Sequence, residues 1–162
     1  MAMGKQETIE YLHAHGVSFE ITEHEAVWNM EQTHRLVLPH PEADAKNLFV
    51  RDDKKRKYYL LTVPGDKRVD LKEFRRQQGT RSLSFASDDD LARYLGLFPG
   101  AVTPLGALND ETRSVKVFLD RAFAGGLIGV HPNDNTATLW LKTEDLVRVL
   151  QAHGTEVVVT DI

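Results

Sequence analysis

Three stretches of the chain put chemically capable residues where a purely structural pattern would not. In Lys46-Asn47-Leu48-Phe49 a lysine and an amide open an apolar, strand-like run. A lysine so placed can hold a phosphate, or a developing oxyanion, as a compact point charge. A strand-edge lysine with its head in water is the plainer reading of the same pattern. In Gly100-Ala101-Val102-Thr103-Pro104-Leu105-Gly106 the glycines permit close backbone approach and positive φ, while proline stiffens the loop and removes a donor. Such a loop can offer N–H and C=O groups to a ligand's amine and carbonyl, or serve only as an irregular crossover. In His131-Pro132-Asn133-Asp134-Asn135 an imidazole follows Val130 at the end of an apolar run. Its polar tip can enter a pocket or be satisfied by backbone bonds.

Missing residues narrow the chemistry further. With no cysteine among 162 residues, a disulfide scaffold, a thiolate nucleophile and a cysteine-built zinc site are excluded. The chain has no HExxH, no G-x-S-x-G elbow, no P-loop and no G-x-G-x-x-G with an acidic ribose ligand. Neither a metal nor a cofactor is therefore expected. His13 and His15, two apart on a helical pattern, face different sides. No apolar run approaches the ~20 residues that span a bilayer, and no hydrophobic N-terminal stretch marks secretion. A cytoplasmic protein without membrane contact is expected.

The formal charge of −4 hides an asymmetry. Residues 46–81 hold 12 of the 20 Lys and Arg against five acids, a segment near +7 beside a remainder near −11. A local positive field can steer a polyanion even on a net-negative protein. On charge alone, a hairpin tip and helix solvated by lysines, which also blunt a sheet edge, is the simpler account.

The elements that must position these groups follow from periodicity and caps. A helix is expected over about 5–15, with Ile9 and Leu12 on one face and Gly16 as its stop. A short strand at 17–21 follows, then a helix capped by Asn29 with Gln32 and running to about Leu38. Residues 47–51 and 57–63 flank the polar turn 52–56 as a hairpin. Asp70 and Ser87 cap the next two helices, on either side of a strand at 82–86. Strands at 114–119, 127–131, 136–141 and 155–160 and a helix capped by Thr143 complete the chain. Frequent hairpins predict an α+β fold, with a mixed, largely antiparallel sheet curled toward a barrel and flanking helices.

Taken together and in this order, these pieces resemble the YbaK/ProX family of aminoacyl-tRNA deacylases. The resemblance runs from His24-Glu25-Ala26-Val27 through Lys46-Asn47-Leu48-Phe49-Val50-Arg51-Asp52 and Val69-Asp70-Leu71-Lys72. It continues through Leu95-Gly96 with Pro99-Gly100-Ala101-Val102-Thr103-Pro104, then Leu108-Asn109-Asp110, Val117-Phe118-Leu119-Asp120 and the His131–Asn135 stretch. Two places depart from the family pattern: Glu25, where proline is frequent, and Glu42-Ala43-Asp44-Ala45, where glycine and histidine are frequent. Both bear on the aminoacyl pocket.

The resemblance implies one deacylase domain over residues 1–162, of the kind also inserted in bacterial prolyl-tRNA synthetases. It would act on mischarged tRNA(Pro), usually Ala-tRNA(Pro). Lys46 and His131 would be catalytic, and His24, Asn47, Gly100, Ala101, Val102, Thr103, Pro104 and Asn135 would bind the aminoacyl end. Arg51, Lys54, Lys55, Arg56 and Lys57 would meet the acceptor stem. The implied partners are the tRNA acceptor end and, optionally, prolyl-tRNA synthetase, not DNA. An aminoacyl ester is already activated, so positioning, oxyanion stabilisation and the substrate's own ribose hydroxyl can suffice. The alternatives are a non-catalytic aminoacyl-tRNA or synthetase-binding module, a deacylase for another small amino acid, and a hydrolase of a small ester or amide unrelated to tRNA.

Overall fold

Strand alternation and helix caps build two sheets with helices on their flanks. The computed structural model describes residues 2–162, apart from the side chains of Met30 and His34. The elements run α1 (Lys5–Ala14), β1 (Phe19–Glu23), α2 (Met30–His34), β2 (Ala45–Asp52), β3 (Tyr58–Pro64), α3 (Leu71–Gln78), β4 (Leu83–Phe85) and α4 (Asp88–Asp90). Beyond a π-helical continuation of α4 to Leu95 come β5 (Val115–Asp120), β6 (Leu127–Val130), β7 (Ala137–Lys142), α5 (Thr143–His153) and β8 (Val157–Thr160).

One sheet has the order β1-β7-β6 and is antiparallel throughout. The other has the order β4-β2-β3-β5-β8; its β2 pairs are antiparallel, and β3-β5-β8 run parallel. The α+β mixture is as the sequence indicates. The curl does not close into a barrel: the two sheets meet at a single parallel bridge, Asp44 to Gly129. A Cβ at Gly129 would overlap the Trp140 ring, so glycine permits that close approach.

Period-two alternation sorts the five-stranded sheet into two faces. Phe49, Leu60, Val117 and Leu119 enter the main core with Leu139, Leu141, Leu146 and Leu150. Val50, Tyr59, Leu61 and Phe118 turn the other way, under Phe74 of α3, with Leu48 and Val69 at the margin. Asp70 caps α3 by accepting from Lys72 N and Glu73 N, and Ser87 with Asp90 forms a reciprocal capping box on α4.

Two helix expectations need correction. α2 stops at His34, short of Leu38, and Gln32 bonds back to Trp28 N at 2.6 Å instead of to the cap residue's own N–H. Thr143 is not a cap. Its hydroxyl donates to Phe123 O and Gly126 O, tying the start of α5 to the preceding turn.

Candidate active site

β3 covers one side of β2 along its length, whereas β4 covers the other side only at Val50–Asp52. The last tie on that side is Ala86 N donating to Phe49 O, at 2.9 Å. Residues 45–48 therefore present an open edge. Around it lies a hollow of about 270 Å³ lined by Lys46, Asn47, Gly100, Val102 and His131, with walls from Val27, Trp28, Asn29, Thr33, Ala45 and Leu48. All three stretches singled out in the sequence converge here. A larger hollow, about 710 Å³, lies between Ala2–Met3, Tyr94 and Asn109–Thr112. It gathers none of these groups, so chemistry and not size selects the site.

Asn47 is the keystone of the local geometry. Its Oδ1 accepts from the Thr62 hydroxyl at 2.7 Å, and its Nδ2 donates to Val102 O at 3.1 Å. Thr62 faces Asn47 across the β2–β3 ladder, so one side chain ties the ladder to the Gly100 loop. That holds the amide against the wall, while its second N–H and second lone pair stay available on the lining of the hollow. Asn135 works similarly: buried, it donates Nδ2 to Val27 O at 3.0 Å and fixes the segment leading into Trp28.

Ala101, Thr103 and Pro104 are buried behind the cavity wall and do not line it. Thr103 Oγ1 accepts from Leu105 N at 3.3 Å, and Ala101 N donates to Phe98 O at 3.0 Å. The loop is braced from within, presenting only Gly100 and Val102. Gly100 has φ +94°, and a Cβ there would come within 2.7 Å of Trp28 Cε3. Glycine thus keeps room for the Trp28 wall, and a methyl there would strike the indole.

The His131 Nδ1 lies 2.9 Å from Ala137 O, an acceptor only, so that nitrogen carries the proton. Burial pushes the His131 pKa below the ordinary histidine value, aided by the nearby His24 ring and opposed by the bond to Ala137. The ring is therefore neutral at pH 7, with Nε2 an acceptor. His24 stands behind, its ring centroid 6.2 Å away. It is spent on Glu25 O at 2.8 Å and the Thr138 hydroxyl at 2.9 Å, outside the cavity lining.

Lys46 shares a strand face with Leu48 by alternation, and its ammonium has no ion pair among the described residues. Further along β2, Arg51 is different: it pairs with Asp90 in a part-buried bridge. Burial tends to raise the Asp90 pKa, but hydrogen bonds from Ser87 and the Arg51 charge hold it below the usual range. Lys54, Lys55, Arg56 and Lys57 form an exposed hairpin tip with no ion pairs among the described residues. Asp52 Oδ1 organises the turn, accepting from Arg56 N at 2.9 Å and Lys57 N at 3.3 Å. Asp52 is six residues from Lys46 along β2, about 20 Å at strand rise.

Sequence reasoning missed Trp28, Asn29, Thr33 and Leu48 as lining residues. The one available signal was Trp28 itself, a large aromatic between apolar Val27 and a polar cap; it is 57% exposed. No helix among the described residues is long and apolar enough to cross a membrane.

An unpaired ammonium and a neutral imidazole beside a backbone-walled hollow suit hydrolysis of an activated ester, and comparison with known proteins gives the class: an aminoacyl-tRNA deacylase. Residues 24–149 match the family model described as the aminoacyl-tRNA editing domain, and the chain belongs to that family. It is 40% identical over 151 residues to the prolyl-tRNA editing protein ProX of Acetoanaerobium sticklandii, covering 93% of this chain and 92% of that one. It is 33% identical over 159 residues to the mouse prolyl-tRNA synthetase associated domain-containing protein 1, covering 93% and 91%. The fold is shared with the solved structure of a candidate trans-editing enzyme for prolyl tRNA synthetase, at TM-score 0.71 and 20% identity over 97% of this chain and 96% of that one.

Proposed function

We propose that the chain is a free-standing, one-domain, cytoplasmic trans-editing enzyme that hydrolyses Ala-tRNA(Pro) without a metal. The observation that carries this reading is the convergence of Lys46, the Gly100 loop and His131 on one small hollow at the open edge of β2. The names of the relatives at 40% and 33% identity support tRNA(Pro) as the nucleic acid, with prolyl-tRNA synthetase upstream. Neither DNA nor a membrane has a part in this reading.

At about 270 Å³ the hollow is smaller than the ~300–1,000 Å³ usual for whole small ligands, so it suits an aminoacyl group with the ribose edge, the rest lying outside. A water held by His131 Nε2 attacks the ester carbonyl carbon. The carbon–oxygen bond to the ribose then breaks, and the vicinal ribose hydroxyl relays the water's proton to the leaving oxygen. Alanine and uncharged tRNA result. Lys46 lies on the Leu48 face of β2, away from the Asn47 side chain that ties the pocket wall, so its ammonium meets the phosphate of the terminal nucleotide in preference to the carbonyl. The Lys54–Lys57 tip, about 20 Å along the strand, lies within reach of the acceptor stem. Val27, Trp28 and Val102 bound the amino-acid side, and the braced Gly100 loop cannot yield to a larger ring.

The test is hydrolysis of Ala-tRNA(Pro) against Pro-tRNA(Pro) at equal concentrations. Rapid release of alanine with proline retained is expected, since an editor that cleaved the correct product would undo each charging. Equal rates on both would defeat the assignment, and binding without hydrolysis would mark a carrier module.

A further inference from the structure

A second hollow, of about 390 Å³, lies beside the first and shares Lys46 and Leu48 with it. Leu48, Val69 and Leu71 give it an apolar lining, and Asp66, Arg68 and Phe85 are its exposed members. Phe85 is 62% exposed on the short strand β4, opposite Val50. Packing does not account for an aromatic left open there. Arg68 is uncommitted among the described residues, as are Lys72 and Arg75, whereas other basic neighbours are not. Lys67 is bound to Asp120, Arg76 to Glu73 and Arg81 to Asp53.

We propose that this hollow binds the penultimate nucleotide of the tRNA, the cytidine of the common CCA end, while the first pocket takes the aminoacyl group and ribose edge of the terminal adenosine; this rests on the deacylase reading. An open aromatic face beside a free guanidinium is the pairing that single-stranded nucleic acid uses, a base on the ring and a phosphate on the cation. The carboxylate adds specificity. Cytosine carries an amino group at position 4 that Asp66 can accept from, whereas uracil has a carbonyl there, which a carboxylate repels. The shared wall fixes the order of the nucleotides. A chain leaving the aminoacyl pocket passes Lys46, which takes the terminal nucleotide's phosphate, and enters the second hollow, where Arg68 takes the next one.

The experiment measures affinity for an uncharged acceptor-stem minihelix ending in CCA, intact or lacking the base at the penultimate position. Phe85→Ala is expected to weaken binding of the intact minihelix about tenfold, the loss of one base stack. Removing the base should weaken wild-type binding similarly, and the two changes together should cost no more than either alone. Phe85→Trp should retain wild-type affinity, and Arg68→Ala should lower the salt slope by about one. The abasic arm uses the unaltered protein, so a folding defect cannot imitate it. Unchanged affinity in Phe85→Ala, or losses that multiply, would overturn the assignment. Because these are binding measurements, the deacylase reading stands or falls separately: a minihelix pattern as expected with no alanine release defeats that reading alone.

Discussion

Gly100→Ala adds one methyl to the loop and tests how the wall is built. The residue sits at φ +94°, and an alanine Cβ would lie 2.7 Å from Trp28 Cε3, 3.2 Å from Val27 O and 3.4 Å from Asn135 Nδ2. Forcing an L-residue into the left-handed region costs ~1–2 kcal/mol. Carbon pairs rest at ~3.5–4.0 Å, so the indole must retreat by about 1 Å. Val27 O cannot, because Asn135 holds it at 3.0 Å. Overpacking adds at least ~1 kcal/mol, for a total of about 2–3 kcal/mol. At 2–4 °C per kcal/mol for a chain of this size, Tm should fall by roughly 4–12 °C. Deacylation should fall up to ~100-fold, the order expected for a 1 Å misplacement of a wall. Thermal melts and single-turnover release of alanine from Ala-tRNA(Pro) would be measured on Gly100→Ala, Trp28→Ala and the double variant. Removing the indole should recover the packing part of the Tm loss and leave the backbone part. A double variant whose losses simply add, or a Gly100→Ala protein that melts and reacts like wild type, would refute this account of the wall.

Lys46→Ala should cut deacylation by about 10²-fold with little change in Tm, because losing the phosphate anchor lets the ester drift while an unpaired charge adds little to folding; activity within twofold of wild type would remove Lys46 from the mechanism. Replacing Lys54, Lys55 and Arg56 with Glu should weaken tRNA binding and flatten its salt slope by about three, read from affinities across a salt series. Arg51→Ala should leave that slope unchanged and lower Tm by roughly 2–8 °C, because it removes the cation paired with part-buried Asp90 at a cost of about 1–2 kcal/mol; a changed slope with unchanged Tm would reverse the two roles. His131 binds protons less readily in the folded chain than its ordinary value of 6.5, so between its depressed pKa and 6.5 the unfolded state holds more protons. Stability is therefore full above 6.5 and falls as pH drops through that window. The kcat/KM for alanine release should likewise hold down to pH 6.5 and decline only below it, and a decline centred above 6.5 would show that another group controls the rate.

The readable part of the site was the part carried by residue type. A lysine opening an apolar strand, a loop with glycine and proline, and a histidine ending a strand each break a local pattern, and those three converge. The roles within each stretch were not readable, because they depend on partners far along the chain. Arg51 looked like a member of the basic hairpin until Asp90, 39 residues away, took its charge. Asn47 looked like a ligand contact alone, but Thr62 and Val102 also make its amide a strut of the wall. Trp28 reaches the wall because Gln32 and Asn135 fix the backbone around it, contacts that period and propensity do not encode. For the fold, the strands were legible from alternation and from apolar runs between turns, although β1 lies at Phe19–Glu23 and not at 17–21. The closure was not, since whether curled sheets seal or merely touch is decided at one joint.

That joint works like the pivot of a caliper. Lys46 lies two residues beyond Asp44, and His131 two residues beyond Gly129, and the bridge between Asp44 and Gly129 is parallel. The two jaws therefore extend in the same direction from one pivot, each about 6.6 Å long at strand rise. A rocking of the sheets by about 10° would open or close the gap at their tips by about 1 Å, a displacement that can alter a rate ~100-fold. The Trp140 ring packed on Gly129 would resist such rocking. Gly129 and Trp140, which lie outside the cavity lining, thus set the gauge between Lys46 and His131.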